Sequence, residues 1–253
     1  MKPENRTLLV VDGNMSMLYY LGMLLTRLGY KVSTASSAEE ALKIINDTVP
    51  SLVVSEITLP KMNGITLLRR IKEGPRLAAI PVIVLTSEND PGLKDTCLRA
   101  GCAGYLNKPI APEMLYKAIQ SACEELPRRY IRLQTSLKVI VANGSIFGGG
   151  ERTEYATAIS EGGLYIRTLY PQPVNTLLTL TLFIDDQKIK AKAVVLYGFT
   201  LGLGPFQEPG MGMKFVDISD EGRDAIRGFI RKHLTGDLEK IAVQGIDSVI
   251  YGA

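Results

Sequence analysis

The chain has 253 residues, 46% of them hydrophobic, and a formal net charge of +3 at neutral pH. That length accommodates two ordinary domains, and that share of apolar side chains builds cores rather than disorder. A charge this mild does not point to a large nucleic-acid-binding surface. No run of ~18 apolar residues occurs, so no membrane span is expected. The opening Met1-Lys2-Pro3-Glu4-Asn5-Arg6 lacks the apolar stretch of a signal peptide. Three cysteines, Cys97, Cys102 and Cys123, form an odd set without a C-x-x-C pair, which suits reduced packing thiols in the cytoplasm. The single histidine, His233, excludes a multi-histidine metal centre and any Ser-His-Asp triad built without it. It falls near a predicted helix end, where a surface histidine is favoured.

The first strand is Leu8-Leu9-Val10-Val11, an apolar run ending in the turn Asp12-Gly13-Asn14. Met15, Leu18, Leu21, Leu25 and Leu28 follow at helical spacing, and Gly29 stops that helix. Lys31–Ala35 reads as a second strand. Ser37, with Glu40 three residues on, makes a capping box for the next helix. Leu52-Val53-Val54-Ser55-Glu56, Ile80–Thr86 and Ala103–Leu106 read as three more strands, and Glu113–Glu124 as a closing helix. Strands alternating with helices in this way predict a doubly wound α/β domain over residues 1–125, its parallel sheet covered on both faces. Such sheets gather their functional groups at the carboxyl ends of the strands. Asp12, Glu56, Thr86 and Lys108 stand there.

Four stretches around those residues resemble the receiver domains of response regulators, of the chemotaxis-receiver type. They are Val10-Val11-Asp12, Ser55-Glu56-Ile57-Thr58-Leu59-Pro60-Lys61-Met62-Asn63-Gly64, Leu85-Thr86-Ser87 and Gly104-Tyr105-Leu106-Asn107-Lys108-Pro109. The resemblance implies a flavodoxin-like, five-stranded sheet. In that family two adjacent acids and a phosphoacceptor aspartate hold magnesium. The residues matching Thr86 and Lys108 contact the phosphoryl group, and the aromatic matching Tyr105 is a switch that rotates on activation. The bond matching Lys108-Pro109 is usually cis. This chain departs twice. Gly13 replaces the second acid, and Glu56 occupies the acceptor position. Magnesium requires oxygen ligands in tight octahedral geometry, so it is not expected to bind. The extra methylene of Glu56 also moves its oxygen off the in-line geometry of transfer. Two readings stay open: a decayed site in which Glu56 pairs with Lys108, or a partial mimic of a phosphorylated aspartate. Both predict that phosphoryl signalling is lost.

At the junction the chain reads Pro127-Arg128-Arg129-Tyr130-Ile131-Arg132-Leu133, with three arginines in five positions. Arginine offers an always-charged planar fork that binds phosphate and the guanine O6/N7 edge, or stacks on a ring. The spacing fits such a ligand, and it also fits a solvated basic linker. Beyond it, short alternating runs predict strands. Leu137, Val139 and Val141 alternate, Asn143-Gly144 marks a turn, and Gly148-Gly149-Gly150 a loose hairpin tip. Glu151–Ile159 and Leu164–Thr168 flank a turn at Ser160–Gly163. Leu178, Leu180 and Leu182 alternate with Thr179, Thr181 and Phe183. Lys188, Lys190 and Lys192 form the outer, solvated face of a half-buried strand, and Met211, Met213 and Phe215 alternate in the last one. Ser219 starts a helix with Ala225, Ile226, Phe229 and Ile230 on one side. The pattern predicts a small antiparallel barrel with a C-terminal helix.

Arg128 and Arg132 as R-x-x-x-R, followed by Ser160 and Gly163 as S-x-x-G, resemble the PilZ family of bacterial cyclic di-GMP receptors. The resemblance covers roughly 127–234 within a second domain at 126–235. It implies that Arg128, Arg129, Arg132, Ser160, Gly162 and Gly163 bind the dinucleotide. Ala158 departs from the pattern, because the family carries Asp or Asn there. The implied function is a cytoplasmic, bacterial signalling effector. It would bind cyclic di-GMP and pass the event to a protein partner by domain rearrangement. The alternative is an interaction protein or scaffold with both sites degenerate. No enzyme is expected, since no nucleophile, base and oxyanion donor cluster together. No DNA partner is expected either, for want of a basic recognition helix. The apolar tail 236–253 is expected to dock on the first domain, form a homodimer contact or bind a partner, and its residues leave these three open.

Overall fold

The computed structural model describes residues 6–125, 127–142, 150–200, 209–236 and 238. They fall into two units: one holds the residues up to Arg129 and from Leu234 on, the other is Tyr130–His233.

The first unit alternates strands and helices in the order β1 (Thr7–Val11), α1 (Met15–Arg27), β2 (Lys31–Ala35), α2 (Ala38–Asp47), β3 (Leu52–Ser55), α3 (Gly64–Glu73), β4 (Val82–Thr86), α4 (Pro91–Arg99), β5 (Gly104–Asn107) and α5 (Pro112–Cys123). All strand pairs are parallel, in the order β2-β1-β3-β4-β5. Strands β3 and β4 are buried along their whole length, as their unbroken apolar runs require when helices cover both faces. The helix starts are written in short polar side chains. Asn14, Ser37, Asn63 and Asp90 each accept a hydrogen bond from a first-turn N–H. The capping box is displaced by one residue: Glu40 accepts from the Ser36 N–H at 2.7 Å while Ser37 Oγ accepts from the Glu40 N–H. Gly29, with φ at 89°, turns the chain out of α1 in the left-handed region. Because the sheet order reverses between β1 and β3, a crevice opens at their carboxyl ends. Asp12 follows β1 there and Glu56 follows β3.

The second unit is a closed barrel of six antiparallel strands. They are β6 (Leu133–Ala142), β7 (Arg152–Ser160), β8 (Gly163–Arg167), β9 (Leu177–Ile184), β10 (Gln187–Phe199) and β11 (Gly210–Ile218), ordered β10-β11-β8-β7-β6-β9. Helix α6 (Asp220–Thr235) follows, its start capped by Ser219 Oγ, which accepts from the Gly222 N–H at 3.1 Å. Ile226, Phe229 and Ile230 are its buried face. The period-2 expectation holds along β6, β9 and the lysine row of β10, where Lys188, Lys190 and Lys192 point out and Ile189, Ala191 and Ala193 point in. Strand β10 runs well past that row to Phe199. Its pairing with β11 slips at Lys192/Ala193 and at Val195/Tyr197, which breaks the alternation that periodicity relies on. The expected glycine tip is described only at Gly150, and the tail beyond residue 238 lies outside the described residues.

Candidate functional site

The crevice of the first unit holds one ammonium between two carboxylates. Lys108 Nζ donates to Asp12 Oδ2 at 2.5 Å and to Glu56 Oε2 at 2.7 Å. All three side chains are close to fully buried, with 11%, 5% and 7% exposure for Lys108, Asp12 and Glu56. Lys108 is delivered by the end of β5, whose chain then passes through a cis Lys108–Pro109 bond. Glu56 collects further donors: the Ile57 N–H at 2.7 Å, the Ser87 N–H at 3.3 Å and the Thr86 side chain. Burial pushes the Glu56 carboxyl up, but the bonds from Lys108 and Thr86 and the lysine charge outweigh it, so the group sits below the ordinary glutamate range. The ionised form is therefore the resident one. Gly64 is part of this arrangement. A Cβ there would lie 2.1 Å from the Glu56 carbonyl oxygen, so only glycine lets α3 start so close to the acid.

These groups make a closed charge set. Both carboxylates are already engaged by Lys108, and Gly13 offers no side-chain oxygen. Among the described residues, no cluster of three or more His, Cys, Asp or Glu could hold a metal. Tyr105 stands beside the crevice, half-buried, its hydroxyl donating to the Glu88 carbonyl at 3.4 Å. Burial raises the thiols of Cys97, Cys102 and Cys123, so they stay protonated packing groups.

The second candidate site lies on the barrel at the turn between β7 and β8. Ser160 is buried, and its hydroxyl donates to the Gly163 carbonyl at 3.0 Å, tying the turn across itself. Gly163 has no room for a side chain, since a Cβ would come 2.0 Å from the Met213 carbonyl oxygen on β11. Strands β6 and β7 pair Leu133 with Ile159 and Gln134 with Ala158. Leu133 and Ile159 are buried inward, so Gln134 and Ala158 lie on the opposite face, Gln134 exposed and Ala158 covered there. Continued past Leu133, where β6 begins, that register would bring Arg132 opposite Ser160 and Tyr130 opposite Gly162. The Tyr130 ring agrees with it, standing 2.8 Å from where a Gly162 Cβ would be. Helix α6 grips the same turn. Arg223 donates to the Glu161 carbonyl at 3.2 Å, and Arg227 pairs with the Glu161 carboxylate at 2.8 Å.

Of the sequence-derived ligand residues, Arg132, Ser160, Gly162 and Gly163 lie in one unit. Arg128 and Arg129 end the other unit. The Arg128 N–H donates to the side chain of Gln120 at 3.2 Å, and Gln120 in turn donates to the Tyr30 hydroxyl at 2.9 Å. Sequence reasoning missed Tyr130 and Gln134. They share the arm's outward face with Arg132 at a spacing of two, so alternation around Arg132 was the available signal. Nothing local marked Arg223 or Arg227, which reach the turn only through the fold.

Fold and sites together define a two-domain signalling protein. The family model of the response regulator receiver domain matches residues 8–120, and that of the PilZ domain matches residues 127–232. An uncharacterized 14.6 kDa protein of Leptolyngbya boryana is 33% identical over 120 residues, which is 47% of this chain and 92% of that protein. The probable transcriptional regulator ycf27 of Pyropia yezoensis is 34% identical over 139 residues, 55% of this chain and 54% of its own length. The crystal structure of a putative response regulator from Chloroflexus aurantiacus matches at 33% identity with a TM-score of 0.46, covering 48% of this chain and 98% of that one. The chain belongs to the response-regulator receiver family in its first half and to the PilZ family in its second. Both families are signalling and binding domains. No helix among the described residues is long and apolar enough to cross a membrane.

Proposed function

We propose that the protein is a bacterial, cytoplasmic effector that binds cyclic di-GMP on its PilZ barrel and reports it to a protein partner, without phosphorylation of its receiver domain. The reading is supported by the Tyr130 ring standing over Gly162 and by the β6–β7 register, whose continuation would bring Arg132 to Ser160. Arg132 is exposed and carries charge that suits a phosphate. In this reading Arg128 and Arg129 join it on the ligand and the connector becomes ordered. Ordering about five residues costs on the order of 5–10 kcal/mol. Several charge-assisted bonds of ~1.5–3 kcal/mol each offset that. The ordered connector then changes how the two domains are disposed, which presents or hides a face for the partner.

The receiver half is read as locked. Lys108 neutralises Asp12 and Glu56 together, Gly13 withholds a ligand, and Glu56 holds the Thr86 and Lys108 donors that the family directs at the phosphoryl group, with the Ser87 N–H as a further donor. This favours the mimic reading over simple decay, because the carboxylate engages Thr86 and Ser87 as well as the lysine. No magnesium is required. The second reading, a scaffold with both sites degenerate, draws on Ala158. Thermal unfolding with and without cyclic di-GMP separates the two. A ligand that binds only the folded barrel at 100 times its Kd stabilises it by about 2.7 kcal/mol. The reading predicts such a shift and its absence in Arg132→Ala. No shift at any ligand concentration favours the scaffold.

A further inference from the structure

We propose that Gln134 supplies the hydrogen-bonding group that Ala158 lacks, and that it completes the guanine-reading edge of the barrel site. The inference rests on the cyclic di-GMP reading above. Ala158 has two cross-strand neighbours, Gln134 on β6 and Tyr165 on β8. Their neighbours along each strand, Leu133, Ile159 and Leu164, are buried in the barrel. Gln134, Ala158 and Tyr165 therefore form one row on the face away from the barrel interior, in which Gln134 is exposed and Ala158 and Tyr165 are covered.

The two neighbours differ in what they can offer. The Tyr165 ring is committed to the far side of the row. It lies 2.8 Å from where a Gly210 Cβ would be, and its centroid is 6.4 Å from that of Tyr197. Gln134 is exposed, and its amide makes no side-chain hydrogen bond among the described residues. Opposed Cβ atoms in an antiparallel pair stand about 4.5–5.5 Å apart. A glutamine amide extends one methylene farther than an asparagine amide, and Ala158, covered at 6% exposure, brings no polar side-chain atom of its own to that position. The Gln134 amide can then stand close to the place that the family's asparagine amide would occupy on β7. It presents a carbonyl acceptor and two N–H donors. Guanine offers the complement: N1–H and N2–H donors beside the O6 acceptor. Gln134 also lies two residues from Arg132 on the same face, about 6.6 Å along the strand, so one ligand can meet both side chains. An uncharged amide does this without repelling the phosphates that Arg132 attracts.

The test is a double-mutant cycle on the full chain, read by equilibrium dialysis against cyclic di-GMP and against cyclic di-AMP. Gln134→Ala is expected to weaken cyclic di-GMP binding by about ten- to a hundredfold, the loss typical of one hydrogen bond to a polar edge. It should also erode the preference for guanine over adenine, which a loss of packing would not. Ala158→Asn is expected to restore binding to Gln134→Ala, so the two changes should fail to add by well over the ~0.5 kcal/mol scatter of independent sites. The proposal is overturned if Gln134→Ala binds like the parent, or if its loss is the same in the Ala158→Asn background as in the parent. If the parent and every variant fail to bind, the cyclic di-GMP reading itself fails and the proposal falls with it.

Discussion

Lys108→Met removes the one ammonium that Asp12 and Glu56 share. At neutral pH the variant leaves two nearly buried carboxylates facing each other. Two unit charges about 5 Å apart repel by about 3 kcal/mol at an effective dielectric of 20. Breaking a buried ion pair by deleting one partner typically costs ~3–5 kcal/mol, so the two routes agree. We expect the receiver half to lose about 3–4 kcal/mol at pH 7. Urea unfolding of the full chain, followed in the helical circular dichroism band, reads this half selectively, because α1–α5 belong to it and, among the described residues, the barrel contributes only α6. The pH dependence adds a sign. Glu56 is held below its ordinary value of 4.5 in the fold. Its contribution is therefore present above pH 4.5 and lost as the pH falls through the lowered folded value. The parent loses this stability in acid, whereas Lys108→Met has none of it to lose, so the gap between them narrows below that pH. A loss under about 1 kcal/mol, within the range of exposed pairs, would refute the reasoning. So would a gap that stays constant into acid.

The remaining expectations are briefer. Acetyl phosphate with magnesium should leave no phosphoryl adduct by intact-mass spectrometry. Glu56→Asp alone should restore little, because Gly13 still leaves the metal short of a ligand. Gly163→Ala should destabilise the barrel by about 3 kcal/mol or more, since its Cβ would meet a strand carbonyl that cannot yield. Gly162→Ala, which meets only the Tyr130 ring, should cost much less, and thermal melts of both variants check the contrast. Cyclic di-GMP should protect Arg128–Arg132 from trypsin and alter the small-angle scattering profile. Binding with neither change would make the receiver half a passive passenger.

Much of the fold was legible because burial writes itself into spacing. The unbroken runs Leu8–Val11 and Val82–Thr86 could only be strands covered twice, and the alternation at Lys188–Ala193 could only be a strand covered once. What escaped was whatever broke the period or depended on contacts far apart in sequence. The bulges of β10 hid its length. The hold of Gln120 on the connector and of Arg223 and Arg227 on the Glu161 turn has no local signal. The acid–lysine trio was legible residue by residue, from the strand ends at Asp12, Glu56 and Lys108. That Glu56 also gathers Thr86 and Ser87 was not, because it depends on where one flexible side chain comes to rest. On the barrel, Ala158 read as a loss. Only the register showed which side chain stands across from it.

Calorimetric titration of cyclic di-GMP into the intact chain, beside Arg132→Ala, tests the central claim most directly. The account predicts saturable heat with a Kd in the micromolar range or tighter for the parent and none for the variant. A flat titration of the parent at high protein concentration, with the chain folded, would contradict it.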